Sequence, residues 1–172
     1  KWQRNLEIFF SLEIPHLSAY ALTVEPRTAL HQLIKKNKLP APDEQEGIDH
    51  FRLLQKLTHE RGYVHYEISN FSLPGHYSRH NSIYWLGGNY LGLGASAHSY
   101  NGNSRTWNAS NLGQYIKNSG EPEKMVETEH LTIDQRYNEY VMTSLRTSWG
   151  CDGEHILNVF GKDRHQYFLL NV

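Results

Sequence analysis

An amphipathic helix, a stop signal and an apolar strand follow one another twice between Trp2 and Ile68. In the first pass Trp2, Leu6, Phe9 and Phe10 recur at helical spacing, Pro15 halts the helix, and His16 to Thr23 reads as a short buried strand. In the second, Asp43 is a good N-cap with Glu46 three residues on as capping-box partner. Ile48, Phe51, Leu54, Gln55 and Thr58 share one side of the helix, Gly62 ends it, and Tyr63 to Ile68 is the next strand. Helix, short loop, strand is the repeating unit of an α/β architecture. Between the two, Thr28 to Asn37 predicts a short helix with a basic last turn, and Pro40-Ala41-Pro42 a hinge.

The pattern then changes. Ser69 to Gly88 reads as an irregular polar and aromatic loop, and Tyr90 to Tyr100 as a glycine-containing strand. Asn101-Gly102 signals a hairpin whose return strand is Ser104 to Asn108. Leu112 to Asn118 is expected to be helical and Glu121 to Glu129 an acidic connector. Thr132 opens a helix with Gln135 as capping-box partner. Tyr137, Tyr140, Val141 and Leu145 form its apolar stripe, Gly150 ends it, and Asp152 caps another helix through Phe160. The expectation is α/β over residues 1–130, followed over 131–172 by a small helical domain, for which a winged-helix arrangement is one form.

With 38% hydrophobic and 20% charged residues, the 172-residue chain can build a packed core. A net charge of -1 supplies no general field for nucleic acid, and the cationic run at 35–38 reads as a solvated helix end. No apolar run approaches the ~20 residues that span a bilayer. The start lacks a secretory signal and an initiator Met, and both ends read as cuts through a longer protein. A single thiol, Cys151, fits a reducing cytoplasm, cannot form an internal disulfide, and cannot supply the several thiolates of an iron–sulphur cluster. It reads as a small buried residue rather than a nucleophile.

The densest chemistry follows the second strand: Tyr66-Glu67-Ile68-Ser69-Asn70-Phe71, then Arg79-His80-Asn81 and Tyr84-Trp85. Arg79 suits a ligand carboxylate, His80 a proton or a metal, and Tyr84 and Trp85 a flat ring. The competing reading, favoured by composition alone, pairs Glu67 with Arg79 and uses the aromatics as loop packing. His76 and His80 have i, i+4 spacing, but Pro74-Gly75 precedes them and no Glu follows His76, so zinc is disfavoured. Gly87 to Gly94 precede and interrupt a strand-like run instead of opening a helix, so they are turn and packing glycines rather than a phosphate loop.

Five blocks taken together resemble one family. They are Leu17 to Pro26, Tyr66 to Phe71, Arg79-His80-Asn81 with Tyr84-Trp85, Tyr90 to Ser99, and Arg136 to Tyr140 with Leu145-Arg146-Thr147 and Gly150. Their kinds and order resemble the HemW and oxygen-independent coproporphyrinogen III oxidase family of radical SAM proteins. The resemblance implies the C-terminal part of a partial (β/α) barrel followed by a smaller domain. It also implies a parent carrying S-adenosylmethionine and a [4Fe–4S] cluster held by a CxxxCxxC motif, which is absent here. This chain alone is therefore expected to be catalytically inactive.

The resemblance further places Thr23, Ala97 and His98 beside S-adenosylmethionine. It makes haem or a porphyrinogen the ligand of the parent, with Glu67, Arg79, His80, Asn81, Tyr84 and Trp85 as candidate contacts. His80 is then a possible axial haem ligand and Arg79 a propionate partner. A haem chaperone with a haem-acceptor protein is favoured over a coproporphyrinogen III oxidase; a non-catalytic scaffold is the third reading. Open strand edges and apolar faces predict self-association.

Overall fold

The computed structural model describes all 172 residues, the side chain of Pro122 excepted. They form two compact units, Lys1–Tyr77 and Ser78–Val172.

In the first unit the amphipathic segments become α1 (Trp2–Ser11), α2 (Ala29–Lys35) and α3 (Glu44–Glu60). Local chemistry marks their starts: Thr28 Oγ1 accepts the His31 amide at 3.2 Å, and Asp43 Oδ1 accepts the Glu46 amide at 2.9 Å. Gly62, just past α3, sits at φ +77°, a left-handed turn that glycine adopts without a Cβ penalty. Three short strands, β1 (His16–Ser18), β2 (Val64–Glu67) and β3 (Asn70–Ser72), form a sheet in the order β1-β3-β2, with β3 antiparallel to both neighbours. Phe71 of β3 lies opposite Leu17 and His65 and joins Leu6, Leu54 and Tyr63 in the core. Trp2, Phe9, Phe10, Leu53 and Leu57 close around them. Two polar tips are anchored to backbone: Trp2 Nε1 donates to the His50 carbonyl at 2.9 Å, and the Tyr63 hydroxyl to the Ile14 carbonyl at 2.6 Å.

Two expectations change here. The strand expected over His16 to Thr23 stops at Ser18, and Leu22 is 68% exposed. The reason is the partner's length. β3 offers three residues, the Ser69 carbonyl takes one more amide from Ala19, and the ladder then has no further acceptor. The second strand is also shorter than Tyr63 to Ile68, because Tyr63 turns into the core and a bulge lies between His65 and Glu67.

The second unit opens with α4 (Arg79–Trp85), capped by Ser78. So the segment expected to be irregular from Ser69 to Gly88 contains both a strand, β3, and a helix. β4 (His98–Tyr100), β5 (Ser104–Asn108) and β6 (Val126–His130) form an antiparallel sheet in that order. Between β5 and β6 lie α5 (Leu112–Lys117) and a single 3-10 turn, Pro122–Lys124. The Asn101-Gly102 hairpin forms as expected: Asn101 Oδ1 accepts the Ser104 amide at 2.8 Å, and Gly102 takes φ +90°.

The long glycine strand does not form. Gly94 at φ +105° and Ser96 at φ +61° break extension, leaving one bridge between Tyr90 and Tyr100 and a loop before His98. The acidic connector is instead strand β6. Its Glu127 accepts the Trp107 indole N–H at 3.0 Å across the β5–β6 ladder, a tertiary pairing that outweighs the low strand preference of Glu.

Helices α6 (Ile133–Ser144), α7 (Gly153–Phe160) and α8 (Lys162–Leu170) complete the unit around Tyr137, Ile156 and Phe160. The capping box of Thr132 and Gln135 is present. However, α6 ends at Ser144 rather than at Gly150, and Leu145 is 70% exposed instead of completing the apolar stripe. Thr143 Oγ1 donates to the Glu139 carbonyl at 2.9 Å, and the amides of Arg146 and Thr147 bond three residues back. This tightens the last turn and terminates the helix. Cys151 packs against the cluster, and burial pushes its thiol pKa up, away from a nucleophile's. Among the described residues no helix is long and apolar enough to cross a membrane.

Candidate functional site

The second unit carries a half-open cleft of about 740 Å³, within the roughly 300–1,000 Å³ range of small-molecule and cofactor sites. It lies between α4, the β4–β5 hairpin, α6 and α7, and aromatic residues dominate its walls. Tyr84 meets Tyr90 edge-on at 4.6 Å, and Tyr90 meets Tyr100 at 5.9 Å. On the α6–α7 side Tyr140 stacks on His155 at 4.6 Å, and its hydroxyl accepts the Asp152 amide at 2.8 Å. Trp85 lines the cleft beneath the Arg146 guanidinium, 5.0 Å from its ring centre.

Charge is concentrated on one side. Arg105 of β5 donates from one terminal nitrogen to both carboxylate oxygens of Glu139 on α6, each at 2.9 Å. Arg136, one turn earlier on α6, donates to Asn103 Oδ1 at 2.7 Å. The Tyr100 phenol, which donates to the Gly102 carbonyl at 3.2 Å, has its pKa raised first by burial and then by Glu139, with both arginines opposing. The cleft therefore combines aromatic faces with one neutralised ion pair and one further guanidinium.

Of the candidates named from sequence, Tyr84 and Trp85 line this cleft. Arg79 and His80, on the first turn of the same helix, are exposed and do not. His80 nevertheless touches the wall: its Nε2 is 3.2 Å from the Tyr84 hydroxyl, with the rings perpendicular. Asn81 contributes its amide to the Ser78 cap at 3.3 Å.

Glu67 belongs to the first unit. It is buried at the end of β2, accepts the Ser69 amide at 3.1 Å and the Asn70 side-chain N–H, and so closes the turn into β3. Asn70 in turn accepts from Ser18 Oγ at 2.6 Å, and His16 Nε2 lies 2.8 Å from the Tyr66 hydroxyl. Burial lowers the His16 pKa, favouring the neutral ring. Thr23 is exposed in the chain after β1. Ala97 accepts the Asn108 amide at 2.9 Å through its carbonyl, and His98 opens β4 with its ring 6.1 Å from that of Trp107.

Tyr90, Tyr100, Arg105, Glu139, Tyr140 and His155 are not among the site candidates read from sequence. One signal was present: Arg136, Glu139 and Thr143 fall at i, i+3 and i+7, a polar face that adjoins the apolar stripe of α6 at Tyr140. The cysteine chemistry is equally clear. Among the described residues no group of three His, Cys, Asp or Glu could hold a metal ion. One high-pKa thiol does not fit an iron–sulphur cluster, so no step through such a group is assigned to this chain.

The fold matches a solved structure, the coproporphyrinogen III oxidase (HemN) of Escherichia coli, a radical SAM enzyme, with a TM-score of 0.72 and 22% identity. The match covers 95% of this chain and 41% of that one. At that identity the likeness defines the architecture alone. Sequence relatives carry the assignment further. The chain is 30% identical to the haem chaperone HemW of Bacillus subtilis (strain 168) over 163 residues, 93% of this chain and 42% of that protein. It is 32% identical to HemW of Lactococcus lactis subsp. lactis (strain IL1403) over 156 residues, 91% of this chain and 41% of that protein. By sequence the chain is similar to proteins named haem chaperone HemW over nine tenths of its own length, and by fold to a radical SAM enzyme. It spans about two fifths of the length of these curated relatives. No family model matches it.

Proposed function

We propose that this chain is the C-terminal part of a HemW-like radical SAM protein, the whole of which acts as a haem chaperone passing haem to an acceptor protein in the cytoplasm. The observation that carries this reading is the extent of the likeness to proteins named haem chaperone HemW, across 93% and 91% of the chain. In this reading residues 1–130 are the end of the partial (β/α) barrel. Residues 131–172 begin the terminal helical domain, with a winged-helix arrangement as its fuller form. The parent holds S-adenosylmethionine and a [4Fe–4S] cluster through its other segments, while Thr23, Ala97 and His98 contribute contacts to S-adenosylmethionine.

Haem is assigned to the region of α4: His80 as axial ligand, Arg79 as a propionate partner, and Asn81, Tyr84 and Trp85 as neighbours. Glu67 is a haem candidate in the first unit. The exposed imidazole of His80, held against the Tyr84 hydroxyl, supports the ligand role. Titrating haem into the chain is expected to give saturable binding and a shifted Soret band, and His80→Ala to weaken the affinity and move the band. A spectrum and affinity unchanged in His80→Ala would remove His80 as the ligand.

The alternative, an oxygen-independent coproporphyrinogen III oxidase, is favoured by the architecture shared with the Escherichia coli oxidase. Decarboxylation of coproporphyrinogen III by the full-length parent would establish it, whereas haem binding without turnover supports the chaperone. Self-association of the chain is a further part of the proposal, supported by exposed apolar side chains such as Leu93, 81% exposed. Light scattering that returns a monomer mass would contradict it.

A further inference from the structure

Three charged groups at the cleft of the second unit have their partners. Glu139 neutralises Arg105 through two contacts of 2.9 Å. The Asp152 carboxylate accepts the Glu154 and His155 amides at 2.8 and 3.3 Å, where the N-terminus of α7 complements its charge. Arg136 differs. Its guanidinium is half-buried, and its polar contact is the neutral amide oxygen of Asn103 at 2.7 Å. Among the described residues no carboxylate lies within ion-pair distance of it. Arg136 lines a cleft whose walls also carry Tyr84, Trp85, Tyr90, Tyr100 and Tyr140. Exchanging an amide oxygen for a carboxylate at a guanidinium is favourable, because a charge-assisted hydrogen bond is about twice as strong as a neutral one.

We propose that this cleft takes the flat face of a carboxylate-bearing macrocycle, with Arg136 as the group that anchors a carboxylate and so selects the free acid over its neutral ester. The inference rests on the haem reading above and deepens it. It assigns the ring to the space between Tyr84, Trp85, Tyr90, Tyr100 and Tyr140, and gives one ring carboxylate a partner beyond the exposed Arg79. The Arg105–Glu139 pair then serves as a rigid wall. An anion brought against it would have to break two existing contacts, whereas at Arg136 it displaces only a neutral one.

The test uses metal-free protoporphyrin IX and its dimethyl ester, so that iron ligation by His80 plays no part. Binding is read from quenching of tryptophan fluorescence, Trp85 and Trp149 being in the cleft wall. The free acid is expected to bind saturably and about 10-fold tighter than the ester, the size of one charge-assisted contact. Arg136→Gln should bring the two affinities together, and Arg136→Lys should restore part of the difference. Non-specific adsorption predicts the reverse order, because the ester is the more apolar probe. Equal affinities for acid and ester, a preference that persists in Arg136→Gln, or no saturable binding would each overturn the proposal. Should Arg136→Gln fail to fold, the acid-to-ester ratio on the unaltered chain decides alone.

The two readings fail separately. Haem binding that needs His80, without an Arg136-dependent acid preference, removes only the anchor. An acid preference that needs Arg136, with haem binding indifferent to His80→Ala, removes only the axial ligand.

Discussion

Phe71→Ala is expected to destabilise the chain by about 3–5 kcal/mol, enough to lower the melting temperature by roughly 10 °C. Phe71 is fully buried at the middle of the centre strand, opposite Leu17 on one side and His65 on the other. The His65 ring stacks on it at 4.1 Å with 12° between planes, and Leu6, Leu54 and Tyr63 complete the enclosure. Truncation removes the apolar area of an aromatic ring and leaves a cavity that a three-residue strand cannot collapse to fill, because its backbone is held by ladder hydrogen bonds on both edges. Phe71→Leu keeps most of the volume and should cost less than about 1.5 kcal/mol. Urea unfolding monitored by circular dichroism checks both. Similar midpoints for Phe71→Ala and the unaltered chain would mean that this cluster is not the core of the first unit.

The second large effect is expected at Gly92. A Cβ there would lie 2.2 Å from the His98 carbonyl oxygen and 2.7 Å from that residue's carbonyl carbon and amide nitrogen. All three are backbone atoms, so no rotamer change relieves the clash; the loop must part from β4. That movement breaks the bond from the Gly92 amide to Ser99 Oγ, 2.9 Å, and the one from Asn108 Nδ2 to the Gly92 carbonyl, 3.2 Å. Overpacking and two lost hydrogen bonds together predict a loss of about 3 kcal/mol for Gly92→Ala. Gly120→Ala is the control, since its Cβ would meet nothing within 4 Å and its φ is not positive. That variant should be neutral or slightly stabilised. Equal unfolding midpoints for the two variants would show that the close approach at Gly92 is not maintained in solution.

The glycine-rich run shows where local reading reached its limit. The reading of its glycines as turn and packing residues holds, Gly87 and Gly94 at positive φ and Gly92 in close approach, but the straight strand does not form. The chain instead folds back so that Gly92 lies against His98, and Asn108 of the opposite strand ties down the carbonyls of Gly92 and Gly94. Nothing within seven or eight residues of sequence specifies that return. β3 and β6 were missed for the same reason. Asn70-Phe71-Ser72 and Val126 to His130 have polar sequences; β3 is held between the neighbouring β2 and the distant β1, and β6 pairs with β5 across an intervening helix.

The candidate site divides along the same line. Tyr84 and Trp85 stood out because they share one short aromatic segment. Arg105, Arg136 and Tyr140 come from a hairpin and a helix about 30 residues apart, and only packing within the second unit sets them around one cleft.

The sequence by itself determined what depends on neighbours a few residues away. The helix starts at Thr28, Asp43, Thr132 and Asp152, the Asn101-Gly102 turn, the amphipathic faces of α1 and α3, and the family resemblance were all legible, because each is carried by side chains acting on nearby backbone or on adjacent turns. Only the tertiary structure decided which polar segments pair as strands, where β1 stops, and which arginine faces the cleft without a counter-charge. Those outcomes turn on hydrogen-bond edges and charges supplied by residues far away in the chain, whose positions exist only once it has folded.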